Sequence, residues 1–510
     1  MRSKKAALNT IISLLFEIIT VISAFILPRL VINSFGSDVN GITQAVSQFI
    51  GYISLLSAGV GGVTVAALYK PISENDTKKI SSIVNATESF LRNISRIFVG
   101  ALIIFAFVFP FFVINDFDYW YSFALVLILG IGTFGNYYFG MTYRLVLEAD
   151  QKIYVNRIIQ IVILIIHTFV SVVLINNGAT IHIVKLVSSL IFLMNPIFIY
   201  VFVRKRYNID KSVEADYTTI EQRWDAFAHQ IANFVNNNTD LVILLIFVNA
   251  KEVSVYTVYY LVLNGIRAFI NSLITGVTAA FGNMIAKGEM KAVEKNLKLY
   301  EFLLHSVGII LYVTMALLIT SFIDLYVKGV TDVNYHRPVF GYLLSAIGFF
   351  VAVRIPYQAV TRAAGHFRQT RNGAIFEAVL NIVLSLSLIV PFGMNGLAIG
   401  TLAAGMFRTI QFGLYSSKNI VDRSVWVIIK RFTISFINAL IILIVVYFIP
   451  LLKPLNYLNW AINGVIITSI GIIITLIFSL VFYLEDFKNF VGFVLRLLKR
   501  GTKINKKNNL

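Results

Sequence analysis

Residues 10–32 read TIISLLFEIITVISAFILPRLVI, with one carboxylate (Glu17) and one guanidinium (Arg29) in an otherwise largely apolar run. About 20 such residues, wound as an α-helix, cross the hydrocarbon core of a bilayer. Comparable runs follow at 39–69, 93–115, 121–143, 154–176, 181–203, 224–248, 253–285, 299–323, 339–360, 373–391, 397–417, 433–451 and 461–483. The spacing predicts an all-α polytopic membrane protein with about 14 transmembrane helices.

An even number of spans puts both termini on one side, and the basic residues say which. Lys and Arg in short loops are retained in the cytoplasm. They gather in the N-terminal tail (Arg2, Lys4, Lys5), in alternate gaps (Lys78, Lys79 and Arg92; Arg144 and Lys152; Arg204 to Lys211; Lys287 to Lys295; Arg362 and Arg368; Lys418 and Arg423) and in the C-terminal tail. The opposite gaps hold few cations, among them Lys251, Lys328, Arg337 and Lys453. Both termini are therefore expected in the cytoplasm. The first run is too long for a signal peptide and lacks a small-residue cleavage site, so it is read as a retained helix.

The formal net charge of +18 is accounted for by loops facing anionic lipid, and no nucleic-acid partner is expected. The chain has no cysteine, which removes disulfides, zinc-finger spacings and thiol nucleophiles. No phosphate-binding GxxxxGK[ST] loop and no HExxH occur, and no long extramembrane stretch could house a soluble-type active site. Neither catalysis nor a metal site is expected.

Sliding the chain by 214 residues sets Gly62-Val63-Thr64 on Gly276-Val277-Thr278, Gly51 on Gly265, and Tyr143, Val146, Ala149 and Arg157 on Tyr357, Val360, Ala363 and Arg371. This register predicts two six-helix repeats, an N-terminal lobe at 1–210 and a C-terminal lobe at 211–432. Two appended helices at 433–483 and a basic tail at 484–510 follow. Transporters built from such parallel repeats bind their substrate between the halves. The charged stretches Ser73 to Arg96 and Lys287 to Lys298 are expected to lie on the membrane as amphipathic helices.

Five cations fall inside predicted spans: Arg29, Lys185, Arg267, Arg354 and Arg408. Each costs roughly 2.5–3.5 kcal/mol at mid-membrane, so each is expected to face a cavity or a partner. Arg267 shares a helical face with Tyr256, Tyr260, Asn264 and Asn271. Guanidinium suits phosphate because its planar fork donates two hydrogen bonds, while amides and aromatic rings suit sugars. The competing reading is a buried Arg paired with a carboxylate or carbonyl. The seventh span carries Asp225, His229, Asn233, Asn236 and Asp240 at helical spacing, a stripe that must line water or protein. His229, Asn233 and Asn236 are candidate cavity-lining groups. Asp240 and Glu17 are candidate sites for a coupling Na⁺ or proton, because a desolvated carboxylate can exchange its charge; alternatively they pair structurally. Pro28, Pro196 and Pro356 stand in or near the ends of spans, where they can kink a helix.

Ile26-Leu27-Pro28-Arg29-Leu30, Phe35-Gly36-Ser37-Asp38-Val39-Asn40-Gly41 and Gly59-Val60-Gly61-Gly62 leading into a basic loop resemble the polysaccharide flippases of the multidrug/oligosaccharidyl-lipid/polysaccharide (MOP) exporter superfamily. The resemblance extends over essentially the whole chain. It implies a MOP/MATE-like fold and a non-enzymatic protein of the bacterial inner membrane. Such a protein turns undecaprenyl-diphosphate-linked oligosaccharide to the outer leaflet by alternating access, alongside other polysaccharide-assembly proteins. Arg267, Arg29 and Arg354, with Asn264, Tyr256, Tyr260 and Asn271, are then candidates for holding the diphosphate sugar. The related lipid II flippases carry arginines in their first and second helices, whereas the second span here has none. The alternatives are a cation-coupled multidrug exporter of the same superfamily and a membrane glycan polymerase or ligase. The exporter would favour carboxylates in its cavity, and the polymerase or ligase a larger outward loop.

Overall fold

The computed structural model describes residues 2–54, 60–220, 239–273 and 277–492. Its main helices are α1 Arg2–Phe35, α2 Ser37–Ser54, α3 Val60–Glu74, α4 Thr77–Val108, α5 Tyr119–Gly135, α6 Met141–Ala149, α7 Ile153–Asn176 and α8 Ile181–Tyr207. Then come α9 at 239–247, α10 Ala250–Leu273, α11 Val277–Ala286, α12 Met290–Tyr326, α13 Pro338–Ala363, α14 Phe367–Phe392, α15 Met394–Asn419, α16 Trp426–Tyr447, α17 Tyr457–Phe482 and α18 at 484–492. No strand occurs among the described residues.

Twelve helices among the described residues are long and apolar enough to cross a membrane. Their exposure identifies the medium around them. The most apolar window of α7 has a mean hydropathy of 2.8, yet only 17% of it is buried, and Phe436, Tyr447, Phe448 and Val390 stand fully outward. Water would drive such faces together; lipid does not, and backbone groups closed within helices suit it. This is a multi-pass membrane protein. The expected span 39–69 corresponds to α2 and α3 on either side of 55–59, and 253–285 to α10 and α11 on either side of 274–276. The expected span 224–248 falls outside the described residues except for α9.

One expectation is corrected. The stretches Ser73 to Arg96 and Lys287 to Lys298 do not form separate surface helices; from Thr77 and from Met290 they are the first turns of α4 and α12, which are 32 and 37 residues long. Once each helix has started, no Gly or Pro occurs before Gly100 or Gly308, so the helix propagates. Asp76 caps α4 by accepting the Lys79 N–H at 2.9 Å.

The chain divides into two compact units, Met1–Leu261 with Gly329–Val333, and Val262–Lys328 with Asn334–Leu510. In the first, Leu68, Ile83, Tyr143, Val146 and Val203 form one apolar core and Val31, Val39, Ile175, Ile181 and Val184 another. In the second, Phe281, Leu297, Tyr357, Val360 and Phe412 form a core, and α16 and α17 pack on α12 through Ile309, Leu318, Ile442, Val446, Ile467 and Ile474. An offset of 214 residues, the separation of the hydrogen-bonded pair Asn40 and Ser254, carries the start of α7 onto that of α14 and the start of α8 to within one residue of that of α15. The same offset carries Ile83, Tyr143 and Val146 onto Leu297, Tyr357 and Val360.

Within the first unit the start of α2 is tied down closely. The Ser37 N–H and hydroxyl donate to the Asp332 carboxylate at 2.7 and 2.8 Å, and Asn40 Nδ2 donates to Ser254 Oγ at 2.8 Å. Between these contacts, a Cβ added at Gly41 would lie 1.7 Å from the Ala250 carbonyl oxygen. Gly41→Ala is expected to cost about 1–3 kcal/mol, as overpacking does. Unfolding in detergent checks this, with Gly62→Ala as the control because nothing lies within 4 Å of a Cβ there.

Candidate functional site

Helix α10 carries Tyr256, Tyr260, Asn264, Arg267 and Asn271, which fall within an arc of about 80° at 3.6 residues per turn. They extend along roughly 22 Å of helix axis at 1.5 Å per residue. The unit boundary falls after Leu261, so the two tyrosines belong to the first unit and Asn264, Arg267 and Asn271 to the second.

The tyrosines and Asp240 form a compact group. Tyr256 OH donates to Asp240 Oδ2 at 2.8 Å, and the Tyr256 and Tyr260 rings stack with centroids 4.3 Å apart at 16°. Tyr52, near the end of α2, lies within hydrogen-bonding reach of Thr239 and electrostatic reach of Asp240. Tyr52 went unnoticed in the sequence because nothing in the chain before it marks which face of α2 meets α9. Asp240 is thus half-buried among phenols. Glu17, the other candidate for the coupling ion, is exposed on α1. His229, Asn233 and Asn236, with Asp225, lie outside the described residues.

Arg267 is half-buried, Asn264 and Asn271 are exposed, and Tyr312 of α12 lies within electrostatic reach of Arg267. Arg29 is half-buried near the end of α1, directly after the in-helix Pro28. Pro196 and Pro356 also lie inside helices, in α8 and α13.

Arg354 and Arg408 share one carboxylate. Arg354 Nη1 stands 2.7 Å from Glu377 Oε1 and Arg408 Nε 3.4 Å from Glu377 Oε2. Arg408 also donates to the Thr370 carbonyl at 3.0 Å and lies 4.1 Å over the Phe412 ring. Three helices, α13, α14 and α15, are joined by this triad, and Glu377 was not singled out in the sequence. Lys185 has no carboxylate within ion-pair distance among the described residues and lies near His167. A second ionic group, also missed in the sequence, centres on Glu301, which is wholly buried, accepts hydrogen bonds from Nη1 and Nη2 of Arg423 and forms an ion pair with Arg431, whose Nε lies 3.1 Å away. Arg431 also pairs with Asp486 at 2.7 Å. Among the described residues no cluster of three His, Asp or Glu side chains could hold a metal ion.

No protein-family model and no curated protein matches the sequence. Solved structures do match. A lipid II flippase, MurJ, in an inward closed conformation superposes with a TM-score of 0.67 at 18% identity, over 92% of this chain and 99% of that one. An inward-facing multidrug resistance transporter of the MATE family, MOP superfamily, gives 0.56 at 12% identity over 80% and 94%. The eukaryotic MATE transporter AtDTX14 gives 0.55 at 15% identity over 81% and 94%. The chain therefore has the all-helical fold shared by MurJ and the MATE transporters.

Proposed function

We propose that this protein is a transporter of the MOP type that moves an undecaprenyl-diphosphate-linked oligosaccharide across the bacterial inner membrane by alternating access, for assembly of a surface polysaccharide. The observation that carries the reading is Arg267. It is a guanidinium on a spanning helix, on one face with Asn264, Asn271 and two tyrosines, the groups a diphosphate sugar would engage. Arg29 is a second candidate for the phosphates. Arg354 is assigned a lesser part, because Glu377 already neutralises it. The fold likeness supports the reading: residues 1–432 are about 85% of the chain, so the 92% match to a lipid II flippase extends into the C-terminal helices. On this proposal the lobes 1–210 and 211–432 are the two moving halves, both termini are cytoplasmic, and the protein carries out no covalent chemistry. Other polysaccharide-assembly proteins are its functional partners.

A second reading, a multidrug exporter coupled to Na⁺ or protons, is favoured by one specific feature. Asp240 with Tyr52, Tyr256 and Tyr260 is an anionic, aromatic group suited to an organic cation or a coupling ion. One experiment separates the two. In deletion cells, lipid-linked oligosaccharide accumulating in the inner leaflet, with surface polysaccharide lost, is the result expected of a flippase. Unchanged glycans with raised sensitivity to cationic drugs would transfer the assignment to the exporter.

A further inference from the structure

The first unit contains a polar cleft of about 290 Å³ lined by α4 and by the segment after α8, and nothing in the transport reading uses it. Its floor is Glu88, largely buried, which accepts the Tyr143 hydroxyl at 3.0 Å, pairs with Arg92 at 2.5 Å and lies 3.5 Å from Lys211. One turn on from Arg92, Arg96 completes the lining; it hydrogen-bonds Asn93 Oδ1 at 3.2 Å and has no carboxylate within ion-pair distance among the described residues. Arg92 lies 5.5 Å over the Tyr138 ring, and its Nε is buried with no hydrogen-bond partner.

Lys211 is held in place by its backbone. Asn85 Nδ2 donates to the Asp210 and Val213 carbonyls at 3.0 and 2.8 Å, and Ser82 Oγ to that of Glu214 at 2.8 Å. The nearby acids Asp210 and Asp216 are turned to Ser212 and Lys79. Those contacts hold both carboxyls below the usual range: the Ser212 backbone N–H does so for Asp210, and the Lys79 ammonium for Asp216. Among the described residues, three cations thus line the cleft against one carboxylate.

The corresponding region of the second unit shows what a balanced version looks like. There, beside Tyr357, the residue 214 positions after Tyr143, Glu301 and Asp486 neutralise Arg423 and Arg431, and the arginines are 5% and 4% exposed. The first unit's cleft is open and, among the described residues, keeps a surplus of two positive charges.

We infer that this cleft is a binding site for a phosphate-bearing anion, held by Arg92, Arg96 and Lys211 over Glu88. Two guanidiniums one turn apart and an ammonium opposite match phosphate oxygens. The phosphate can come from a soluble ligand or from an anionic lipid headgroup. The inference does not depend on what the protein transports.

The test uses the full chain in neutral phosphatidylcholine nanodiscs without divalent cations, titrated with pyrophosphate and followed by thermal unfolding. Stabilisation that weakens at least tenfold in Arg96→Gln/Lys211→Gln, but not in the charge-matched control Lys70→Gln/Lys78→Gln, two exposed lysines outside the cleft, is expected if the phosphate is soluble. If pyrophosphate does nothing but phosphatidylglycerol in the disc stabilises the parent and not the double variant, the ligand is a lipid headgroup. Equal responses of parent and double variant to both probes would overturn the proposal. Arg96→Gln alone leaves every Glu88 contact in place, so it serves if the double variant does not fold.

Discussion

Glu301→Ala is expected to destabilise the protein by about 3–5 kcal/mol, the cost of leaving buried charges without their counterion. The carboxylate is wholly buried and is the shared partner of Arg423 and Arg431, themselves 5% and 4% exposed. Its removal leaves the Arg423 side chain, among the described residues, with the Ser417 hydroxyl at 3.0 Å, while Arg431 keeps Asp486. SDS-titrated unfolding from lipid–detergent micelles measures the loss. Replacing both Glu301 by Leu and Arg423 by Met is expected to recover most of it, since exchanging a buried pair for apolar groups is often close to neutral. A double variant as unstable as Glu301→Ala would show that the group acts through packing and not through charge.

Arg267→Ala carries the largest expected effect on transport. On the flippase reading the guanidinium makes charge-assisted hydrogen bonds to the cargo's phosphates, each worth about 1.5–3 kcal/mol, so its loss is expected to reduce export by roughly 10-fold to 100-fold or more while the protein still reaches the membrane. Arg267→Lys is expected to rescue poorly, because an ammonium keeps the charge but loses the planar fork. Surface polysaccharide per cell, normalised to membrane-inserted protein, is the readout. Normal export in Arg267→Ala would remove this residue from the mechanism.

Membrane helices were legible in the sequence because hydrocarbon solvation acts on each segment separately: the apolar run at 154–176 is apolar whatever it packs against, and it is α7. The offset of 214 is a matter of sequence spacing alone; it sets Tyr143 on Tyr357, each of which is buried in a core of its own unit. Reading Ser73 to Arg96 as a helix lying on lipid failed because amphipathicity reports one apolar face without saying what covers it. Ile80, Ile83, Val84 and Leu91 are covered by the protein's own core.

The candidate site was legible only in part. Helical periodicity put Arg267 and the two tyrosines on one face of α10, but not Tyr52 beside Asp240, which comes from a helix almost two hundred residues earlier. Nor could it show what Arg354 meets: its partner, Glu377, lies on another helix 23 residues away.

The sequence by itself determined that the chain crosses the membrane many times, where its helices lie and where its positive charge collects, because hydropathy and helix formation are governed by residues near one another in the chain. Tertiary structure alone decided which charges are neutralised, Arg354 and Arg408 on Glu377 and Arg423 and Arg431 on Glu301, and where three cations meet the single carboxylate Glu88 among the described residues. Coulomb energy depends on distance in space, and residues 122 positions apart, such as Glu301 and Arg423, meet only once the helices have packed.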